Sequence, residues 1–130
     1  MATPQENSLQ YSGNCAISAK TEAAGSKDAV RALSWAQASL LNAETYSLLI
    51  LIGGTKPNQE KIDKTVTALD NGISFCQQLI NETIGTNEPE NSVTWSQAVA
   101  LLSSSLALVK GTAAIELVPF ATIADAILPD

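Results

Sequence analysis

The sequence predicts an all-α protein, a four-helix bundle built from two repeated αα-hairpins with a C-terminal apolar extension. Composition is the first reason: apolar residues make up 45% of the 130 residues and aromatic residues only 5%. Strands would draw on more aromatic and β-branched side chains, whereas this chain is rich in Ala, Leu, Ser and Gln. The length suits one domain with a core of Leu, Ile, Val and Ala.

The second reason is an internal repeat with a spacing of sixty residues. Residues 34–38 read SWAQA and residues 94–98 read TWSQA, so the only two tryptophans of the chain fall on equivalent positions. Five further pairs keep this register without a gap: Leu9 and Leu69, Glu22 and Glu82, Gly25 and Gly85, Leu41 and Leu101, Leu48 and Leu108. A repeat of this length indicates one supersecondary unit used twice.

The repeat predicts one helical domain of three parts. The first hairpin covers about residues 8–55, the second about residues 58–112, and an apolar extension covers residues 113–130. Each hairpin is expected to bury the apolar face of the other. A two-repeat solenoid is the alternative arrangement, and we favour the bundle because two repeats are few for a stable solenoid.

The first two helices follow a polar tail of about seven residues. Helix A is predicted at 8–24, interrupted by Gly13, and Gly25-Ser26 reads as a C-terminal glycine followed by an N-cap. Helix B is predicted at 27–52 and ends at Gly53-Gly54. The polar residues of helix B fall on one narrow stripe: Lys27, Arg31, Ser34, Asn42 and Thr45. Most of its circumference is therefore expected to be covered.

Helix C is predicted to open at residues 55–58, which supply a capping residue and an early proline. Its apolar residues follow a heptad-like spacing: Ile62, Val66, Leu69, Ile73, Cys76 and Ile80. Such a seam predicts close packing against another helix.

Helix D is predicted at 88–110, with carboxylates at its start where the helix dipole favours them. No charged side chain lies between Asn91 and Val109. Gly111-Thr112 is expected to loosen this helix, and Pro119 to kink or break the apolar segment after it.

Charge excludes several functions. Thirteen acidic and seven basic residues give a net charge of −6, whereas nucleic-acid binding needs clustered Lys and Arg. The same deficit argues against a basic helix lying on an anionic membrane. Neither a signal sequence nor an uninterrupted apolar run long enough to span a bilayer is evident. A soluble cytoplasmic protein is therefore expected.

Catalytic chemistry has little support in the sequence. The chain contains no histidine, which removes Ser-His and Cys-His nucleophile pairs and histidine-containing metal sites. Gly53-Gly54-Thr55-Lys56 lacks the spacing and preceding strand of a phosphate loop. Glu44 and Glu116 lie in apolar sequence, yet such carboxylates usually reach solvent at the edge of a buried face. We expect no enzyme, metal or cofactor.

The two cysteines, Cys15 and Cys76, lie on apolar helical faces. We predict that both are reduced and buried, because the sequence carries no export signal and no base that would activate a thiol. A disulfide between the two repeats is the alternative, and the expected compartment argues against it.

Three functions stay open from the sequence. The favoured one is a self-assembling or scaffold subunit, because helix B, helix D and the last segment carry more apolar surface than one small bundle covers. The others are a monomeric protein-binding module and a bundle that holds an apolar small molecule, with Ser103-Ser104-Ser105 in the cavity wall. The interface candidates, which centre on the repeated tryptophans and helix D, are Trp35, Gln37, Trp95, Gln97, Val99, Leu102, Leu106 and Val109. Helix C is a second candidate surface.

Overall fold

The computed structural model describes residues 2–86 and 89–114. Within these ranges it contains four α-helices and no strand. The helices are α1 Pro4–Ala24, α2 Ala29–Leu51, α3 Gln59–Thr83 and α4 Pro89–Ala114. The predicted all-α class is confirmed, and the helices pack as a bundle. The repeat and its hairpins stay predictions, and nearly all of the predicted extension lies outside the described residues.

The four helices occupy the corners of a square in the order α1, α2, α4, α3. α1 and α4 each pack against both α2 and α3, whereas α1 meets α4 only marginally and α2 does not pack on α3. Ion pairs join Glu6 to Lys61 at one end and Lys27 to Glu82 at the other. α1 and α3 therefore run side by side in the same direction.

Capping side chains set the starts of the helices, and the sequence predicted only some of these caps correctly. The Thr3 hydroxyl accepts a hydrogen bond from the Glu6 backbone N–H, and the Glu6 carboxylate accepts one from Thr3. This capping box begins α1 at Pro4, so the predicted polar tail is wrong. Asp28, rather than Ser26, caps α2, and Asn58 caps α3.

Two glycines predicted to interrupt or loosen helices lie inside continuous helices. Gly13 is buried inside α1, where small size suits its close contact with Thr65. Gly111 lies inside α4, which continues to Ala114. Gly25 does end α1 as expected. After α2, the chain turns at Gly53, whose φ of 110° lies in a region that glycine adopts without strain.

The core combines small residues between α1 and α2 with larger side chains toward α3 and α4. Among the fully buried large side chains are Leu9, Tyr46, Leu69, Trp95 and Leu102. The predicted seam of α3 is only partly inward. Its alternate members Ile62, Leu69 and Cys76 are buried, and Val66, Ile73 and Ile80 are half-buried.

One described helix, α4, is long and apolar enough to cross a membrane by length and composition, with a mean hydropathy of 1.3. The core helix of a soluble protein passes the same test. In this bundle α4 contributes Trp95, Leu102 and Val109 to the core. The expectation that the chain has no membrane span stays a prediction.

Candidate functional site

Three of the predicted interface residues on α4 lie inside the bundle. Trp95, Leu102 and Val109 have at most 1% of their surface exposed. Val99 and Leu106 are half-buried and pack against the same core. Trp95, Leu102 and Val109 cannot contact a partner while the bundle is closed, which corrects the expectation that α4 presents them. The interface role of Val99 and Leu106 stays a prediction.

The uncharged stretch of α4 has a different physical explanation. Apart from Val93, its large apolar side chains are buried or half-buried, and its exposed positions carry mostly serine and alanine, with Gln97 among them. The hydroxyl of Ser96 donates to the Ser92 carbonyl at 2.7 Å, and that of Ser104 donates to the Ala100 carbonyl at 3.0 Å. Small side chains and hydroxyl groups can therefore face water here without any charge.

The two tryptophans do not form equivalent surfaces. Trp35 is 38% exposed on α2, whereas Trp95 is 1% exposed. Gln37 and Gln97 are both exposed. Of the repeated Trp and Gln residues, Trp95 is the one that cannot take part in surface recognition.

The largest exposed apolar surface of α2 lies where the sequence predicted a covered helix. Helical geometry places five side chains within about 100° of one another around the helix axis. We call them the outer face of α2: Val30, Leu41, Leu48, Leu51 and Ile52, between 57% and 79% exposed. Exposed apolar side chains gathered on one side of a helix are typical of an association site.

Burying the polar residues between these side chains would cost little free energy. The hydroxyl of Ser34 donates to the Val30 carbonyl at 3.1 Å, and the hydroxyl of Thr45 donates to the Leu41 carbonyl at 2.9 Å. Their hydrogen bonds are already made within α2, so burial does not break them. Glu44 is the single charged residue among the polar positions of the face.

Charges concentrate elsewhere on the described surface. Arg31 lies beside the outer face of α2 and is directed to Glu22 of α1, with 3.5 Å between nitrogen and oxygen. Three other ion pairs among the described residues each include a residue of α3, namely Glu82, Lys61 and the pair Glu60 and Lys64. A chain with a net charge of −6 repels a copy of itself, and a face with one charged residue, Glu44, keeps that repulsion small.

No catalytic arrangement emerges among the described residues. Cys15 is half-buried and Cys76 is fully buried, and both are free thiols. Burial raises the pKa of both, that of Cys76 to about 11, which disfavours the reactive thiolate. Glu44 is exposed, whereas Glu116 lies outside the described residues. The described chain contains no group of three or more potential metal-ligating side chains.

No family model, curated protein or solved structure matches this chain.

Proposed function

We propose that this protein is a non-catalytic helical subunit that assembles with a second copy of itself through the outer face of α2. The observation that supports this most directly is the row of exposed apolar side chains on that face. The site differs from the α4 surface expected from the sequence, because α4 directs most of its large apolar residues into the core.

The spacing of the exposed residues suits an antiparallel pair with two-fold symmetry. In such a pair, residue numbers that sum to 82 face each other if the axis passes beside Leu41. Each Leu41 then meets its partner's Leu41, and each Val30 meets the partner's Ile52. Apolar contacts form at the centre and at both ends, as a self-complementary interface requires.

The energetics are of the right order for a dimer. Each of the five side chains keeps more than half of its surface in water, so covering one gains on the order of 1 kcal/mol. A symmetric dimer covers ten of them. Association costs roughly 4–15 kcal/mol in lost translational and rotational freedom, which the apolar gain offsets at the lower end of that range.

Solution mass tests the proposal. Wild-type protein at micromolar concentration is expected to have twice the mass of one chain by light scattering. Leu41→Glu places two carboxylates at the symmetry axis and should give the mass of one chain with unchanged helical circular dichroism. Val93→Glu is the matched control, because Val93 is 57% exposed on α4 and lies off the proposed interface.

Oxidative cross-linking tests the orientation. In a chain with Cys15 replaced by serine, Leu41→Cys should form a disulfide-linked dimer, because the two thiols meet at the axis. Val30→Cys should not, since its two copies lie at opposite ends of an antiparallel pair. A monomeric wild type, or a Leu41→Glu variant that stays dimeric, contradicts the proposal. A monomer would favour the protein-binding module instead.

A further inference from the structure

A groove of about 630 Å³ runs between α1 and α3, on a different side of the bundle from the outer face of α2. It shares no residue with that face, so dimer formation through α2 would leave it open. Its volume falls within the range of small-molecule sites, about 300–1,000 Å³.

Small residues create the groove. A Cβ atom placed on Gly13 would lie 3.5 Å from Thr65, which shows how closely the α1 backbone approaches α3. Gly13 and Ala68 therefore leave space above the contact that larger side chains would fill. The side chain of Ile17, which is 49% exposed, forms an apolar floor with the small exposed parts of Gly13 and Ala68, and Leu9 lies buried beneath them.

Amide and hydroxyl groups line the rims. Gln10 and Asn14 stand on the α1 side, and Thr67 and Asn71 on the α3 side. All four are exposed. An apolar floor between uncharged polar rims is the pattern of a site for an elongated, mainly apolar molecule.

Positive charge predominates along the groove. Three of the chain's seven basic residues line it, namely Lys20, Lys61 and Lys64, against one acidic residue, Glu6. The hydrogen bond from Lys61 and that from the Thr3 backbone lower the pKa of Glu6, so this carboxylate stays ionised and balances Lys61. Lys64 lies 3.3 Å from Glu60 on the open surface.

Of the three lysines that line the groove, Lys61 pairs with Glu6 and Lys64 with Glu60, whereas Lys20 has no ion pair with a described carboxylate. Lys20 is half-buried, and its ammonium lies 4.9 Å from the centre of the Phe75 ring. The ring holds the ammonium at the end of the groove farthest from Lys61. Lys20 lies ten helical positions after Gln10, a rise of about 15 Å along the groove.

We infer that this groove binds a small amphipathic carboxylate, with its apolar chain over Gly13, Ile17 and Ala68 and its carboxylate directed to Lys20. The inference goes beyond the proposed assembly. The apolar floor favours an apolar chain, the length of the groove favours an elongated one, and the unpaired ammonium of Lys20 favours a carboxylate. The net negative charge of the protein otherwise repels anions.

Decanoate and decan-1-ol are suitable probes, because they share a chain and differ in the carboxylate. Full-length protein labelled with ¹⁵N is titrated with each, below the concentration at which decanoate forms micelles. Decanoate should shift backbone amide signals of residues 9–20 and 61–71, and bind more tightly than decan-1-ol. Equal affinity for the two probes, or shifts confined to the outer face of α2, overturns the inference.

Substitution of Lys20 identifies the charge that carries the selectivity. Lys20→Met keeps an apolar stem and should weaken decanoate binding about five- to tenfold, the effect of losing one partly exposed charge contact. Its affinity for decan-1-ol should not change. Lys27→Met is the matched control, because Lys27 pairs with Glu82 and does not line the groove. If Lys20→Met and Lys27→Met bind decanoate equally, the assigned role of Lys20 is wrong.

Discussion

Ser12 and Ser39 donate hydrogen bonds to each other's backbone carbonyl groups across the contact between α1 and α2. The Ser12 hydroxyl lies 2.9 Å from the Ser39 carbonyl oxygen, and the Ser39 hydroxyl lies 2.8 Å from the Ser12 carbonyl oxygen. Both side chains are fully buried. Two helices can exchange such bonds only at close approach, which the surrounding buried alanines such as Ala16 and Ala36 allow.

Replacement of either serine by alanine should therefore destabilise the bundle. Ser12→Ala and Ser39→Ala each remove one buried hydrogen bond, and each should lower the free energy of unfolding by about 0.5–1.5 kcal/mol. Ser104→Ala is the control, because that exposed hydroxyl bonds only within its own helix. It should change stability by less than about 0.5 kcal/mol. Urea denaturation measures all three, and equal effects would contradict an interhelical role.

The sequence predicted the helices well because their signals are local. Apolar periodicity, capping residues and glycines placed four helices to within a few residues of the observed ends. The predicted helix starts were less accurate where several neighbouring polar residues could each act as the N-cap. The true cap of α1, Thr3, could have been found from Glu6 three positions later, which is the capping-box spacing. The cap of α2, Asp28, could have been found because Asp is a favoured N-cap residue.

The sixty-residue repeat does not determine which of its equivalent positions are buried. Burial follows the sixty-residue register between α1 and α3, where Leu9 and Leu69 are both buried, as are Ala16 and Cys76. It does not follow the register between α2 and α4, where Trp35 and Trp95 differ. α2 packs against α1 and α4, whereas α4 packs against α2 and α3. Equivalent positions on α2 and α4 therefore meet different neighbours and need not share burial.

The candidate surface was missed for a related reason. A lack of charge indicates that a helix face is not strongly hydrated, but it does not tell which face packs inward. In α4 most of the large apolar residues face the core, and in α2 the core face is already filled by alanines such as Ala32 and Ala43. Leu41 and Leu48 are then left outside. The alanine stripe was the signal that would have identified this exposed face.

The two buried helical glycines should respond oppositely to an added methyl group. At Gly72 a Cβ atom would lie 3.0 Å from the Ala16 carbonyl oxygen and 3.3 Å from Leu102, so α1 must shift. At Gly13 the nearest atoms of Thr65 are 3.5 Å away, an ordinary contact. Alanine favours a helix over glycine by about 0.5–1 kcal/mol. Gly13→Ala should therefore raise the free energy of unfolding, and Gly72→Ala should lower it.

Thermal and urea denaturation of the two glycine variants, measured side by side, check this. Both substitutions add the same atoms to a buried helical position, so each serves as the control for the other. A gain in stability for Gly72→Ala would mean that α1 and α3 are less closely packed than the structure shows.

Tyr46 should be replaceable by phenylalanine without loss of stability. Its hydroxyl is buried and has no hydrogen-bond partner among the described residues, and burial raises the pKa of this phenol. An unpaired buried hydroxyl costs free energy, so Tyr46→Phe should leave the free energy of unfolding unchanged or raise it by about 1 kcal/mol. Tyr11→Phe, at a position 54% exposed, is the control and should have no effect. A loss above about 1 kcal/mol would reveal a bound water at this hydroxyl.

The two thiols should react at different rates in the folded protein. Cys15 is half-buried, which corrects the prediction that both cysteines are buried, and Cys76 is fully buried. A thiol reagent at neutral pH should label Cys15 slowly and leave Cys76 unlabelled until denaturant is added. Mass spectrometry of the labelled peptides identifies each site. Labelling of both thiols at one rate in the native state would contradict the burial of Cys76.

Cys76 should also make stability depend on pH in the alkaline range. Burial raises the pKa of the Cys76 thiol from 9.0 to about 11, so the folded protein keeps a proton that the unfolded chain loses. Between about pH 9 and pH 11 the unfolded state therefore binds fewer protons, and the free energy of unfolding must fall as pH rises. Below pH 9 both states are protonated, and this contribution is constant.

Cys76→Ala removes the contribution while Cys15 and Tyr46 remain. Its unfolding free energy should therefore decline less steeply than that of the wild type between pH 9 and pH 11, in parallel urea titrations. Identical pH profiles for the two proteins would mean that the thiol at position 76 reaches water in the folded state.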